Sequence, residues 1–278
     1  MKQIFTKLIP KSFALSLNGK SAEILYDKAE KLYKKANELF KLGYNHPKEY
    51  NAAFELYKKA AGQGLAEAQC KLGVCYYYGK GIKKSSSEAI KWYQKAIEQG
   101  NAEALYYLGR CYYDGKGVFK NYSQAVEYMK KAATLGYAKA QYELSMCYYD
   151  GNSVEKDNAE SLNWIIQAAE NGYIKAQRKL ALCYYGSEHR NQNDAKNKHN
   201  DYNNIPLYHI EQNYEQAFKY FSLAAEQGDG YALYMLGECY YNGYGVEKNY
   251  DTALKWFQTA AEQGSLNAKD KLIKLGES

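Results

Sequence analysis

The sequence predicts an all-α fold, an α/α solenoid in which helix-turn-helix repeats of 36 residues stack into a right-handed superhelix. Three observations predict it. The tripeptide Cys-Tyr-Tyr occurs five times, beginning at Cys75, Cys111, Cys147, Cys183 and Cys239, with the first four copies 36 residues apart and the last after 56. A fixed period of this length means stacked supersecondary units, none of which buries its hydrophobic face alone. Counted from a recurring glycine (Gly64, Gly100, Gly136, Gly172, Gly228, Gly264), position 5 is always alanine and position 9 always leucine. Only 3 prolines stand against 22 glycines and 32 tyrosines, so glycine turns punctuate the helices and tyrosine is the packing aromatic.

The elements follow in chain order. Residues 1–20 form a basic extension, in which Lys2, Lys7, Lys11 and Lys20 precede the first acid, Glu23. Its apolar stretch Ser12–Leu17 is too short for a secretory signal core and is preceded by Pro10 and Lys11; an organelle transit peptide is the alternative reading. Residues 21–63 form a degenerate capping repeat, with Leu32, Ala36, Leu39, Phe40 and Gly43 on one stripe and Ala53, Leu56, Tyr57, Ala60 and Ala61 on the next. Full repeats are expected over 64–99, 100–135, 136–171, 172–227 and 228–263, and a half repeat over 264–278 closes the array with a polar face.

Within a repeat, the apolar positions 5, 9, 12 and 13 describe one face of a first helix, helix A. The cysteine and first tyrosine (Tyr76, Tyr112, Tyr148, Tyr184, Tyr240) belong to that stripe, and the second tyrosine falls about 100° further round. Helix A ends at a glycine, Gly79, Gly115, Gly151, Gly186 or Gly243, where a left-handed turn is expected. Helix B then carries small and bulky residues together, as in Ala89, Trp92, Tyr93, Ala96 and Ile97, or Ala253, Trp256, Phe257, Ala260 and Ala261. Small residues let the helices approach, and the aromatics fill the space between them.

The fourth repeat holds a 20-residue insertion, residues 187–206, whose polar composition predicts a mobile surface loop. His189, His199 and His209 lie in or beside it without cysteine or carboxylate at ligand spacing, so neither metal nor cofactor is expected.

Four of the lysines behind the net charge of +6 lie in the extension, which leaves the array nearly balanced. A mean hydropathy of −0.67 and the lack of an 18-residue apolar run predict a soluble chain with no transmembrane segment. Five of the six cysteines occupy equivalent positions on stacked helices, spaced roughly 8–10 Å apart and beyond disulfide reach. Free thiols and a cytoplasmic location are therefore expected. A thiol that recurs on a packing stripe reads as core, and the Gly-x-Gly loops, which follow helices, read as turns.

The pattern Gly-x-x-x-Ala-x-x-x-Leu-Gly-x-Cys-Tyr-Tyr-x-Gly-x-Gly-Val, followed by Ala-x-x-Trp-x-x-x-Ala-Ala-x-x-Gly, resembles the Sel-1-like repeat, a relative of the tetratricopeptide repeat. The resemblance is strong over residues 64–276 and weak over 21–63. Departures are Ser145, Ala181 and Ile273 at the glycine of position 10, and Ser161 at the first alanine of helix B. The resemblance implies a non-enzymatic adaptor that assembles protein complexes. Some cysteine-rich relatives are labelled β-lactamase-like, but they resemble a version with a cysteine on each helix, and helix B here has none.

Positions 4, 7, 8, 11 and 15 remain as the free face of helix A, expected to line the concave groove. The residues there change from copy to copy: Tyr106, Tyr107 and Arg110; Tyr142, Glu143 and Met146; Lys175, Arg178, Lys179 and Leu182; Tyr231, Tyr234, Met235 and Glu238. Tyrosine and arginine are enriched at interface hot spots and methionine adapts to irregular partners, so this face is expected to bind a protein or peptide. Nucleic-acid binding through Lys175, Arg178 and Lys179 is the weaker alternative.

Overall fold

The computed structural model describes residues 19–42, 47–186 and 210–276, and all regular structure among them is helical. The basic extension before Gly19 and the insertion at 187–206, with His189, His199 and His209, lie outside the described residues. Two compact bodies divide the chain. The first, Met1–Tyr137, holds α1 (Gly19–Leu42), α2 (Pro47–Gly62), α3 (Ala66–Tyr78), α4 (Ser86–Ile97), α5 (Ala102–Asp114) and α6 (Tyr122–Thr134). The second, Ala138–Ser278, holds α7 (Ala138–Asp150), α8 (Asn158–Glu170), α9 (Ile174–Tyr185), α10 (Tyr214–Glu226), α11 (Gly230–Asn242), α12 (Tyr250–Glu262) and α13 (Leu266–Lys274). Odd-numbered helices are helix A and even-numbered ones helix B. Within each body every helix packs against the next, which makes the fold a helical-repeat solenoid.

Two short joints recur. Helix B ends where the glycine of position 1 turns left-handed: Gly100, at φ 81°, donates to the Ile97 carbonyl at 2.8 Å while Asn101 N–H reaches back to Ala96 at 3.1 Å. This pair of bonds satisfies carbonyls that the helix end would leave open. It is repeated at Gly64, Gly136, Gly172, Gly228 and Gly264. The next residue already caps the following helix A. Asn101, Asp229 and Ser265 accept from the N–H groups of Ala104, Ala232 and Ala268, each cap contributing about 1 kcal/mol.

The second joint returns helix A to helix B. The N–H groups of Gly79, Gly115 and Gly243 close onto the carbonyls of Cys75, Cys111 and Cys239. A polar residue then caps helix B with its side chain and ties back with its own N–H. Ser85, Asn121, Asp157, Asn213 and Asn249 donate to the carbonyls of Tyr76, Tyr112, Tyr148, Tyr184 and Tyr240 at 2.9–3.0 Å. The fourth repeat keeps this bond, so the insertion leaves the pairing of α9 with α10 intact.

The predicted stripe forms the core. All six position-5 alanines are fully buried, and Leu72, Leu108, Leu144, Leu180 and Leu236 are at most 3% exposed. The tyrosines need correction. The first of each pair is only half-buried, and the second ranges from 3% exposed at Tyr77 and 5% at Tyr185 to 41% at Tyr113. Buried second tyrosines are covered by their neighbours: Tyr185 meets Phe221, Tyr214 and Tyr244 at 5.6–6.0 Å.

Position 10 sets how closely the paired helices approach. A Cβ on Gly73 would lie 2.5 Å from the Tyr93 ring, and one on Gly237 would overlap Phe257. The third repeat replaces this arrangement with a matched polar pair. Ser161 Oγ donates to the Ser145 carbonyl at 2.6 Å, and both serines are fully buried, so the two departures compensate each other. Ile273, on α13, which no further helix follows among the described residues, is 68% exposed.

Candidate functional site

Successive A helices within each body are joined by charges and rings. In the first body, Lys71 Nζ of α3 lies 2.7 Å from Glu103 Oε1 of α5, both side chains about a quarter exposed. The Tyr106 ring is wedged between Tyr107 at 5.2 Å and Tyr137 at 5.4 Å, and Tyr107 stacks on Tyr93 at 5.6 Å. Arg110 sits 3.9 Å from Asp114 and over the Tyr113 ring.

In the second body, Tyr142 packs on Tyr173 at 5.1 Å. Lys179 Nζ points at Met146 Sδ, 3.3 Å away, and lies over the Tyr142 ring. Arg178 donates to Asp229 Oδ2 at 2.7 Å, and Glu238 pairs with Lys271 at 2.8 Å. Tyr231 touches Tyr234, which reaches inward to Phe257 at 5.7 Å.

These contacts correct the expected free face. Tyr106, Lys179, Leu182, Tyr234 and Met235 are only 2–7% exposed and belong to the interior. A single-helix wheel treats helix A as covered from one side, whereas neighbouring units cover it from further sides as well. Tyr107, Arg110, Tyr142, Glu143, Met146, Arg178, Tyr231 and Glu238 remain partly exposed and Lys175 exposed. Lys71, Glu103, Tyr137, Tyr173, Asp229 and Lys271 share the face without having been singled out. Complementary charges on successive units, Lys71 with Glu103 and Glu238 with Lys271, were their legible signal. The basic cluster also dissolves: Arg178 is neutralised by Asp229, Lys179 is buried, and Lys175 alone of the three is exposed.

The Sel1 repeat profile matches eight segments: residues 15–39, 38–65, 66–101, 102–137, 138–173, 174–196, 207–229 and 230–265. The chain belongs to the Sel1 repeat family. Sel1 repeat proteins are generally protein-interaction scaffolds and typically non-catalytic. Among solved structures, a Sel1 repeat protein from Oxalobacter formigenes is similar at 28% identity and a TM-score of 0.61, over 86% of this chain and 88% of that one. A protective antigen present in uropathogenic Escherichia coli strains, displaying an SLR fold, is 32% identical with a TM-score of 0.61 over 89% of this chain. This chain spans 48% of the antigen's length. An immunity protein from Pseudomonas aeruginosa, 20% identical with a TM-score of 0.52 over 93% of this chain and 85% of its own, shares the fold. No curated protein matches the sequence.

The Sel1 ladder of cysteines carries little nucleophilic character. All six are free thiols. Burial pushes Cys75, Cys111 and Cys239 up to about 12 and Cys147 up to about 11, which keeps them protonated at neutral pH. One Ser-x-x-Lys spacing occurs, from Ser153 to Lys156. It lies in the exposed turn between α7 and α8, where Ser153 takes the left-handed conformation (φ 64°) that Gly81, Gly117 and Gly245 take in other turns, and Lys156 lies over the Tyr149 ring. Among the described residues no group of histidines, cysteines and carboxylates is placed to hold a metal ion, and no helix is long and apolar enough to cross a membrane.

Proposed function

We propose that this Sel1 repeat chain is a non-enzymatic scaffold that holds a protein or peptide partner on the helix-A faces of its two bodies, each taken by itself. The observation that carries this reading is the contrast within each helix A. Its core positions repeat from unit to unit, while the exposed ones change in charge and shape: Tyr107 and Arg110 in α5, Tyr142, Glu143 and Met146 in α7, Lys175 and Arg178 in α9, Tyr231 and Glu238 in α11. Packing would require sameness there, and mere solvation would favour lysine and glutamate over half-exposed aromatic rings. Such rings supply contact area at low entropic cost, and arginine supplies directional hydrogen bonds.

The test substitutes surface positions only, because Tyr106 and Tyr234 are core residues whose loss would unfold the site. The triple variant Arg110→Glu/Tyr142→Ala/Tyr231→Ala is expected to lose the partner that the parent chain captures at stoichiometric yield, with an unchanged circular dichroism melt. Undiminished capture by a folded triple variant would remove the helix-A face from the account.

A further inference from the structure

The turns that join helix A to helix B differ sharply along the chain. Of the nine large hydrophobic side chains that stand exposed among the described residues, five are gathered on and beside two successive turns of the first body: Tyr78 (54%), Ile82 (37%), Tyr113 (41%), Phe119 (97%) and Tyr122 (44%). Among them are Lys80, Lys83, Lys84, Lys116 and Lys120. The single carboxylate in these turns, Asp114, is already engaged. It accepts from Lys116 Nζ at 2.8 Å and Tyr77 Oη at 2.6 Å, and Arg110 lies 3.9 Å away.

The two turns form one surface. Lys116 of the second turn reaches Tyr77, at the root of the first, at 3.0 Å, and Gly117 packs so closely on Ser86 and Ile90 that a Cβ there would crowd them. Tyr113 and Tyr122 meet edge to face at 5.2 Å. The corresponding turns of the second body differ in charge and at the tip, though Tyr250 there stands 52% exposed. They carry Lys156 and Lys248 against Asp150, Glu155, Asp157 and Glu247, and the position filled by Phe119 holds Glu155, Glu211 or Glu247.

We infer that the two turns of the first body, with Phe119 at the tip and the lysines around it, dock the protein on an anionic membrane surface. Two features select a lipid surface over an acidic polypeptide. The exposed apolar side chains stand on and beside the turns, Phe119 almost fully in solvent, whereas peptide recognition uses a groove or a sheet edge that buries the ligand's side chains. Phenylalanine, tyrosine and isoleucine ringed by lysine are also the combination that settles at the boundary of headgroups and acyl chains, with the apolar groups inserted and the ammonium groups on anionic headgroups. Arg110 of the helix-A face touches this surface at Asp114 and at the Tyr113 ring, and the test of this surface uses none of the residues varied there.

The experiment is co-sedimentation of the full chain with large unilamellar vesicles of phosphatidylcholine alone or with about one-third phosphatidylserine. Binding is expected only with the anionic vesicles and is expected to fall steeply as salt rises. Phe119→Glu, which places here the residue found in the other turns, is expected to weaken partitioning about tenfold, and Lys83→Glu/Lys84→Glu at least as much. Lys156→Glu/Lys248→Glu in the second body is expected to leave it unchanged. All these positions are exposed, so each variant should retain the parent melting temperature. Equal binding to neutral vesicles, no binding to either, or equal loss in the second-body variant would overturn the inference. So would retention on polyglutamate resin without vesicle binding, which would assign the patch to an acidic protein.

Discussion

In the first body the Tyr93 ring fills the space that Gly73 leaves open, and in the second Phe257 does the same against Gly237. The turns above those two seams keep their glycines, Gly79 and Gly81 or Gly243 and Gly245, and a lysine, Lys84 or Lys248, but one carries Lys83 where the other carries Glu247. The seam is the same because a close-packed interior forfeits contacts when shape changes by even one methylene. The turn is free to differ because its side chains meet water. Recurrence along this chain therefore marks what holds the solenoid, and divergence marks the surfaces available for recognition.

The sharpest way to break that comparison is at the seam. Phe257 is fully buried, and Phe257→Ala is expected to cost about 3–5 kcal/mol in urea unfolding, with amide protection lost first over α11 and α12. A cost below about 1 kcal/mol would mean the seam collapses without penalty. Gly237→Ala comes next, at about 1–3 kcal/mol, since its Cβ must displace the same ring. Combining it with Phe257→Leu should recover part of that loss, because the two changes share one volume. Smallest is Tyr93→Phe. The Tyr93 hydroxyl is fully buried with no hydrogen-bond partner among the described residues, while the equivalent position in other units holds Met129, Ile165, Phe221 or Phe257. Its removal is expected to stabilise the fold by about 1 kcal/mol, and a loss in the thermal melt would show that the hydroxyl is satisfied.

The sequence announced the fold through the residues that packing repeats. Ala68, Leu72 and Cys75 lie on the stripe their spacing requires, and Gly79 turns left-handed where a helix end needs it. Ahead of the first clear copy, Ala36, Ala53, Tyr57, Ala60 and Ala61 also lie in the interior. The candidate face was legible only in part. Wheel geometry places Tyr106 and Tyr234 away from helix B, and that is sound for one helix. It misses what else reaches that face: Tyr137, from the start of the third repeat, covers Tyr106, and Phe257, on helix B of the same repeat, draws Tyr234 inward. Spacing alone puts Lys179 among the groove cations, yet its ammonium is folded over Tyr142 and Met146. Contacts between successive units depend on how one repeat is set against the next, and no spacing within a single repeat encodes that directly.

The central claim is that the varied helix-A positions, and not the repeated framework, meet the partner. Site-specific incorporation of benzoylphenylalanine tests it most directly, with the photoreactive group placed at Tyr142 or Tyr231 on helix A and at Gln124 or Lys255 on helix B. The account predicts one discrete cross-linked protein from the helix-A positions and none from the helix-B controls. The same adduct at equal yield from Gln124 or Lys255, or from those two positions alone, would contradict it.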